Sequence, residues 1–369
     1  MSHEVESMFS VGARPWHGLG HVLKGQPSMS EAIVLAGLNW QVDLRPVAAT
    51  VTDEASVAVE IPSHRAVMRM DTGAVLGVVG EDFRPLQNSE AFGFFEPLVA
   101  EGLLSLETAG SLRHGRRVWV MARIPGDPAV IVPAADDVVD PFVLLCHGHD
   151  GSLALRVGFN PVRVVCANTL AAAMGHQDGM TSVRHTAGMV PALDKVRDTI
   201  AAQIRCFQDS AEAWRLLAAR TCTDAAFTTY ALRVAAVARG LSDDELREAL
   251  PSGRTGARLL GAVRPLFEGG AGNDRAGVRG TWWAAYNAVT QWLTHERGSG
   301  AGSDAEQAAR RFEALHLGES RRLSMRALML AIEGADESNG AALPPPPLHA
   351  DGEAPEEIAP LGDDAEQAA

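Results

Sequence analysis

Six arginines and one tryptophan carry the clearest chemical signal in this chain. Arg113, Arg116, Arg117, Arg123, Arg156 and Arg163, with Trp119 among them, lie in a stretch that reads as strands and tight turns. A guanidinium binds phosphate oxygens in a bidentate fork, and an indole stacks on an unpaired base. In Val118-Trp-Val-Met-Ala-Arg123 the two-residue strand period puts Val118, Val120 and Ala122 on one face and Trp119, Met121 and Arg123 on the other. Likewise Leu153, Leu155, Val157 and Phe159 share a face, with Arg156 opposite. A sheet face built this way would meet single-stranded DNA through its phosphates. The competing reading pairs these arginines with Glu107, Asp136, Asp137 and Asp140, leaving a solvated, neutralised surface.

A second cluster, Cys146-His-Gly-His-Asp150, suggests metal chemistry. His149 and Asp150, joined by His185, would hold an ion that activates water for hydrolysis. Against it, Cys146 and His147 point to opposite faces of a strand, and Asp150-Gly151 is a hairpin turn in its own right. The reading adopted assigns no metal, no catalytic residue and no cofactor. Trp16-His-Gly-Leu-Gly20 lacks the spacing of a phosphate loop, and no GxSxG nucleophile elbow is present. Asp243, Asp244 and Glu245 make a helix start rather than an acid–base pair.

The elements that must hold these residues follow from periodicity. Ser28-Met-Ser-Glu31 opens a helix; Trp40 to Val59 reads as strands; Asp71-Thr-Gly73 turns a hairpin; Ser89 to Gly102 is helical. Two hairpins follow, around His114-Gly115-Arg116 and around Asp150-Gly151, and a helix is expected over Cys166 to Met174. Beyond residue 188 the spacing turns helical: Val190–Leu217, Thr223–Arg239, Ser242–Leu250, Thr255–Phe267, Thr281–His295, Asp304–His316 and Ser320–Glu333. The expected fold class is α+β. Residues 1–188 form a mostly antiparallel sheet with helices, 189–334 form an all-helical domain, and 335–369 form a disordered Pro-rich acidic tail.

Composition supports a globular chain: 369 residues, 46% hydrophobic and 21% charged. The net charge of −14 is concentrated, since nine acidic residues and no Lys or Arg follow Ala335, leaving −5 for the rest. Local basic faces therefore remain compatible with an acidic protein. The four cysteines, 20, 40 and 16 residues apart, form neither a disulfide framework nor a CxxC zinc site. No apolar run is long enough to span a bilayer, and the start lacks the order of a signal peptide, so a cytoplasmic protein is expected.

Met8-Phe9, Pro15-Trp-His-Gly-Leu-Gly20, Ala36-Gly-Leu-Asn-Trp40, Leu76-Gly-Val-Val-Gly80 and Pro85-Leu-Gln-Asn88 come in order along the chain. Thr108-Ala-Gly-Ser-Leu112, His149-Asp-Gly-Ser152 and Arg163-Val-Val-Cys-Ala-Asn-Thr169 follow. Together these motifs resemble the phage/plasmid-related family classed as domain of unknown function 932, over roughly residues 1–330. The resemblance implies a mobile-element context and no established reaction. The expected function is non-enzymatic nucleic-acid binding, with single-strand annealing of the recombination-mediator class as the activity. Homo-oligomerisation and a protein partner for the acidic tail go with it. The alternatives are a metal- or nucleotide-dependent enzyme around His149 and Asp150, or an oligomeric scaffold.

Overall fold

The computed structural model describes residues 5–12, 20–51, 57–164, 168–169, 180–186, 207, 209–241, 245, 256–297, 307, 310–311, 313–315 and 318–339. The architecture is α+β, with antiparallel sheets and helices gathered mainly in the C-terminal part. In chain order the first strands are β1 (Val5–Val11), β2 (His21–Leu23), β3 (Val42–Val51), β4 (Val57–Arg69) and β5 (Val75–Gly80). Then come β6 (Ser105–Leu112), β7 (Arg117–Arg123), β8 (Ala129–Val132), β9 (Asp137–Asp140) and β10 (Phe142–Gly148). The last are β11 (Leu155–Phe159), β12 (Val162–Arg163), β13 (Asn168–Thr169) and β14 (Met180–Val183).

A seven-stranded sheet runs β14-β11-β10-β7-β6-β1-β2 and is antiparallel except for the β1–β2 pair. Two hairpins build its centre. The first turns through Arg113, His114 and Gly115, all left-handed (φ 54°, 57° and 86°). The second turns at Asp150-Gly151, where Gly151 has φ 78° and Asp150 Oδ1 accepts from the Ser152 N–H and hydroxyl at 3.0 and 2.6 Å. Helix α1 (Met29–Leu35) starts at a reciprocal Ser28–Glu31 capping box, and α2 is Asn88–Ala100. These helices and the small β3-β4-β5 sheet cover one face of the large sheet over a core of Phe9, Leu38, Val67, Phe95, Val120, Leu145 and Phe159.

The opposite face is also buried. Met8, Leu112, Trp119, Leu144, Cys146 and Leu153 form a separate apolar cluster there. Gly110 sets its depth: a Cβ at that position would lie 2.4 Å from the Ser7 carbonyl oxygen and 2.5 Å from the Trp119 ring.

The third sheet, β13-β12-β9-β8, joins the helical part. Ala129, Ile131 and Val139 share a core with helices α3 (209–219), α4 (Asp224–Val237), α5 (Ala257–Gly269), α6 (Trp282–Gln291) and α7 (Glu319–Asn339). Every residue of α6 from Trp282 to Thr290 is buried. A π-helical turn, Trp292–Glu296, continues it.

Three expectations change. Asn168 and Thr169 form β13 rather than part of a helix, because they pair with Val162 and Arg163; the rest of 166–174 lies outside the described residues. Helix α7 runs to Asn339 with Ala335 buried, so 335–339 belong to the fold, while 340–369 lie outside the described residues. The lead-in read as irregular contains β1, which pairs with β6 a hundred residues later. Among the described residues no helix is long and apolar enough to cross a membrane.

Candidate functional site

Strand alternation places the sheet arginines as expected, but carboxylates pair with four of the six. Arg113 and Arg117 both pair with Glu313, at 2.9 and 2.5 Å, and Arg117 also donates to the Ser152 hydroxyl at 3.0 Å. Arg123 pairs with Asp140 at 2.6 Å. Arg156, half-buried on β11, is also engaged. Arg163 is fully buried: its Nε and Nη2 bind Asp137 at 2.8 and 2.5 Å, and Nη1 donates to Asn273 Oδ1 at 3.0 Å. Asp137 also accepts from the Trp283 indole N–H at 2.9 Å, which ties β9 and β12 to α6. Trp119 is 2% exposed under the apolar cluster, so it has no open face for a base. Of these six arginines, Arg116 is the one that is exposed with no ion-pair partner among the described residues. On this sheet the competing reading holds for Arg123 and Arg163, whose counter-charges are Asp140 and Asp137 as named there, while Glu313 from the helical part, not named there, pairs with Arg113 and Arg117.

The metal alternative is redrawn as well. The Asp150 carboxylate is turned into its own hairpin, bonded to Ser152. His149 and His185 instead meet His147, which shares the core-facing side of β10 with Leu145. The His147 and His149 ring centroids are 4.8 Å apart and edge to face, and His147 and His185 are 6.1 Å apart. Burial, then its two imidazole neighbours, holds His147 well below the ordinary imidazole range. Burial, then His185, pulls His149 down to about 3; Arg69 adds to this and Asp150 opposes it. His185 is lowered by burial and opposed by the backbone of Arg84 and Leu153. Among the described residues no group of three or more His, Cys, Asp or Glu side chains, as placed, could hold a metal ion.

A different basic surface lies on the helical part. A cavity of about 640 Å³ is lined by Arg239, Arg258, Arg297, Trp292 and Glu296 over small residues including Ala235, Gly256 and Ala262. A neighbouring one of about 180 Å³ is lined by Arg297, Arg310, Arg311, Glu319 and Ser320. Arg297 belongs to both; it contacts Glu319 at 3.2 Å and sits 5.6 Å from the Trp292 ring centroid. Arg239 and Arg258 are exposed and without an ion-pair partner among the described residues. Arg258 lies in the first turn of α5, whose N-cap Gly256 (φ 87°) offers no side-chain cap. A cation there opposes the helix dipole, a local cost that anion binding would offset. That misplaced charge was visible in the sequence. Its convergence with Arg239 and Arg297 was not, because three separate elements supply them.

The model of the family described as domain of unknown function (DUF932) matches residues 75–316. This chain belongs to that family. The matched span contains both the histidine cluster and all five groove arginines. No curated protein and no solved structure matches the chain.

Proposed function

We propose that this member of the family binds single-stranded nucleic acid, and does so along the helical arginine groove rather than on the sheet. One observation carries the reading. Two adjoining cavities share Arg297 and gather Arg239, Arg258, Arg310 and Arg311 around one partly exposed indole, Trp292. Among the described residues that line the two cavities are five guanidiniums and two carboxylates, Glu296 and Glu319, with Arg239 and Arg258 exposed at the rim, in a chain of net charge −14. A local reversal of sign attracts a polyanion while the rest of the surface repels non-specific contacts. The larger cavity has the volume of a small-ligand site, enough for a nucleotide unit. Trp292 supplies a stacking platform that an unpaired base reaches and a stacked duplex base does not. Binding of this kind needs no catalytic group, and annealing, the expected activity, needs none either. The phage or plasmid setting stays part of the same proposal.

The test is fluorescence anisotropy with single-stranded and duplex oligonucleotides at two salt concentrations. Affinity should fall steeply with salt, and the double variant Arg239→Ala/Arg258→Ala should reduce the logarithmic salt slope by about 1 to 2. Trp292→Leu should weaken single-strand binding more than duplex binding. Arg116→Ala should leave both unchanged. No binding at low salt, or equal binding by wild type and the double variant, overturns the proposal.

A further inference from the structure

Three imidazoles meet at one end of the core between the large sheet and its covering elements, and five of their six ring nitrogens are buried without a hydrogen-bond partner. These are both nitrogens of His147, both of His185, and Nδ1 of His149. The backbone of Arg84 and Leu153 lies near His185 without reaching good hydrogen-bond geometry. A buried polar atom left unpaired costs about 1–3 kcal/mol, so five at one place call for a common partner.

The sixth nitrogen reveals how the site is set. Asn88 Nδ2 donates to the carbonyls of Leu38 and Trp40 at 3.1 and 3.4 Å, which fixes the orientation of its amide. Asn88 Oδ1 therefore faces His149 Nε2 at 3.0 Å as an acceptor, and Nε2 must carry the proton. His149 Nδ1 is left as a bare lone pair, buried and with nothing donating to it. An acceptor behind one ring nitrogen is the arrangement that orients a metal-binding imidazole through the other. Trp40, 5.3 Å from His149, and Phe83, 5.1 Å from His185, wall the rings in.

Spacing agrees with the chemistry. Two imidazoles bound to one tetrahedral ion at its usual nitrogen distance have centroids about 5 Å apart. The separations of His147 from His149 and from His185, 4.8 and 6.1 Å, bracket that value. As the rings stand, His147 and His149 meet edge to face, so ligation requires rotation about side-chain torsions. We infer that His147, His149 and His185 form a binding site for a divalent transition-metal ion, with a fourth position left for water or another small ligand. An all-imidazole donor set suits zinc, copper or nickel and not magnesium or calcium.

The experiment uses untagged full-length protein and zinc as the probe. After exposure to zinc and gel filtration, elemental analysis should find one equivalent per chain. The unfolding temperature should stand several degrees higher with zinc than with chelator. His147→Gln/His185→Gln should lose both effects while keeping its circular dichroism spectrum. Should that variant fail to fold, visible absorption of cobalt-loaded wild type reads the site directly, through tetrahedral bands that zinc abolishes. Absence of stoichiometric zinc together with an unchanged unfolding temperature overturns the inference. Undiminished binding by a folded double variant overturns it too, since the ion would then sit on other histidines. Nucleic-acid binding through the groove arginines, none of which lines the histidine cluster, is scored separately and is unaffected by either result.

Discussion

Mild acid should destabilise this protein through His149, and the size of the effect can be worked out. The unfolded imidazole has a pKa of about 6.5, whereas burial and His185 bring the folded one down to about 3. A depressed histidine pKa means that the unfolded chain binds more protons between those values. The stability involved is fully present above pH 6.5 and is lost as pH falls toward 3. Moving from pH 7.5 to 5.5 therefore costs about 1.4 kcal/mol from this one group. His147 and His185, also lowered chiefly by burial, act in the same direction. Glu107 acts oppositely, because burial raises its carboxyl to about 6, but it is only half-buried and contributes less. Urea unfolding of chelator-treated wild type and His149→Gln at the two pH values isolates the term. Glutamine keeps an amide N–H for Asn88 Oδ1 and removes the titration. The variant should lose about 1.4 kcal/mol less than wild type over this interval. Equal losses would show that His149 does not titrate as its surroundings require.

Two stability effects follow from the same contacts. Asp137→Asn leaves Arg163 buried beside a neutral amide, and should cost about 3–5 kcal/mol in urea unfolding; replacing both residues with apolar ones of similar volume should recover much of it. Gly110→Ala drives a methyl group into the Ser7 carbonyl and the Trp119 ring. It should lower the unfolding temperature by several degrees, at about 1–3 kcal/mol, and shift tryptophan fluorescence.

Local pattern went far here because the strands are amphipathic at period two. The faces assigned to Val118, Val120 and Ala122, and to Leu155, Val157 and Phe159, are those observed, and Asp150-Gly151 turns the hairpin its residues require. Leu153, expected on the face of Leu155, packs instead with Trp119 and Cys146 on the opposite side, because it precedes β11 and does not follow the strand's alternation. The helices from Asp224 to Val237, Ala257 to Gly269 and Trp282 to Gln291 were equally legible, from apolar spacing and from caps such as Thr223 and Thr281. β1 was missed because its pairing partner lies a hundred residues away, and β13 because two residues carry no period.

The candidate sites divide along the same line. Composition shows that arginines are present, and alternation shows which face of a strand they occupy; both are properties of neighbouring residues. Whether an arginine is free is a question of distance in space. Glu313, some two hundred residues from Arg113 and Arg117, answers it for those two, and Asp137 answers it for Arg163. His147 and His149 could be assigned to one strand face from their spacing, but His185 joins them only because β14 pairs with β11. Charge and hydrogen bonding act over a few ångströms, and long-range strand pairing and helix packing choose which groups come within that reach.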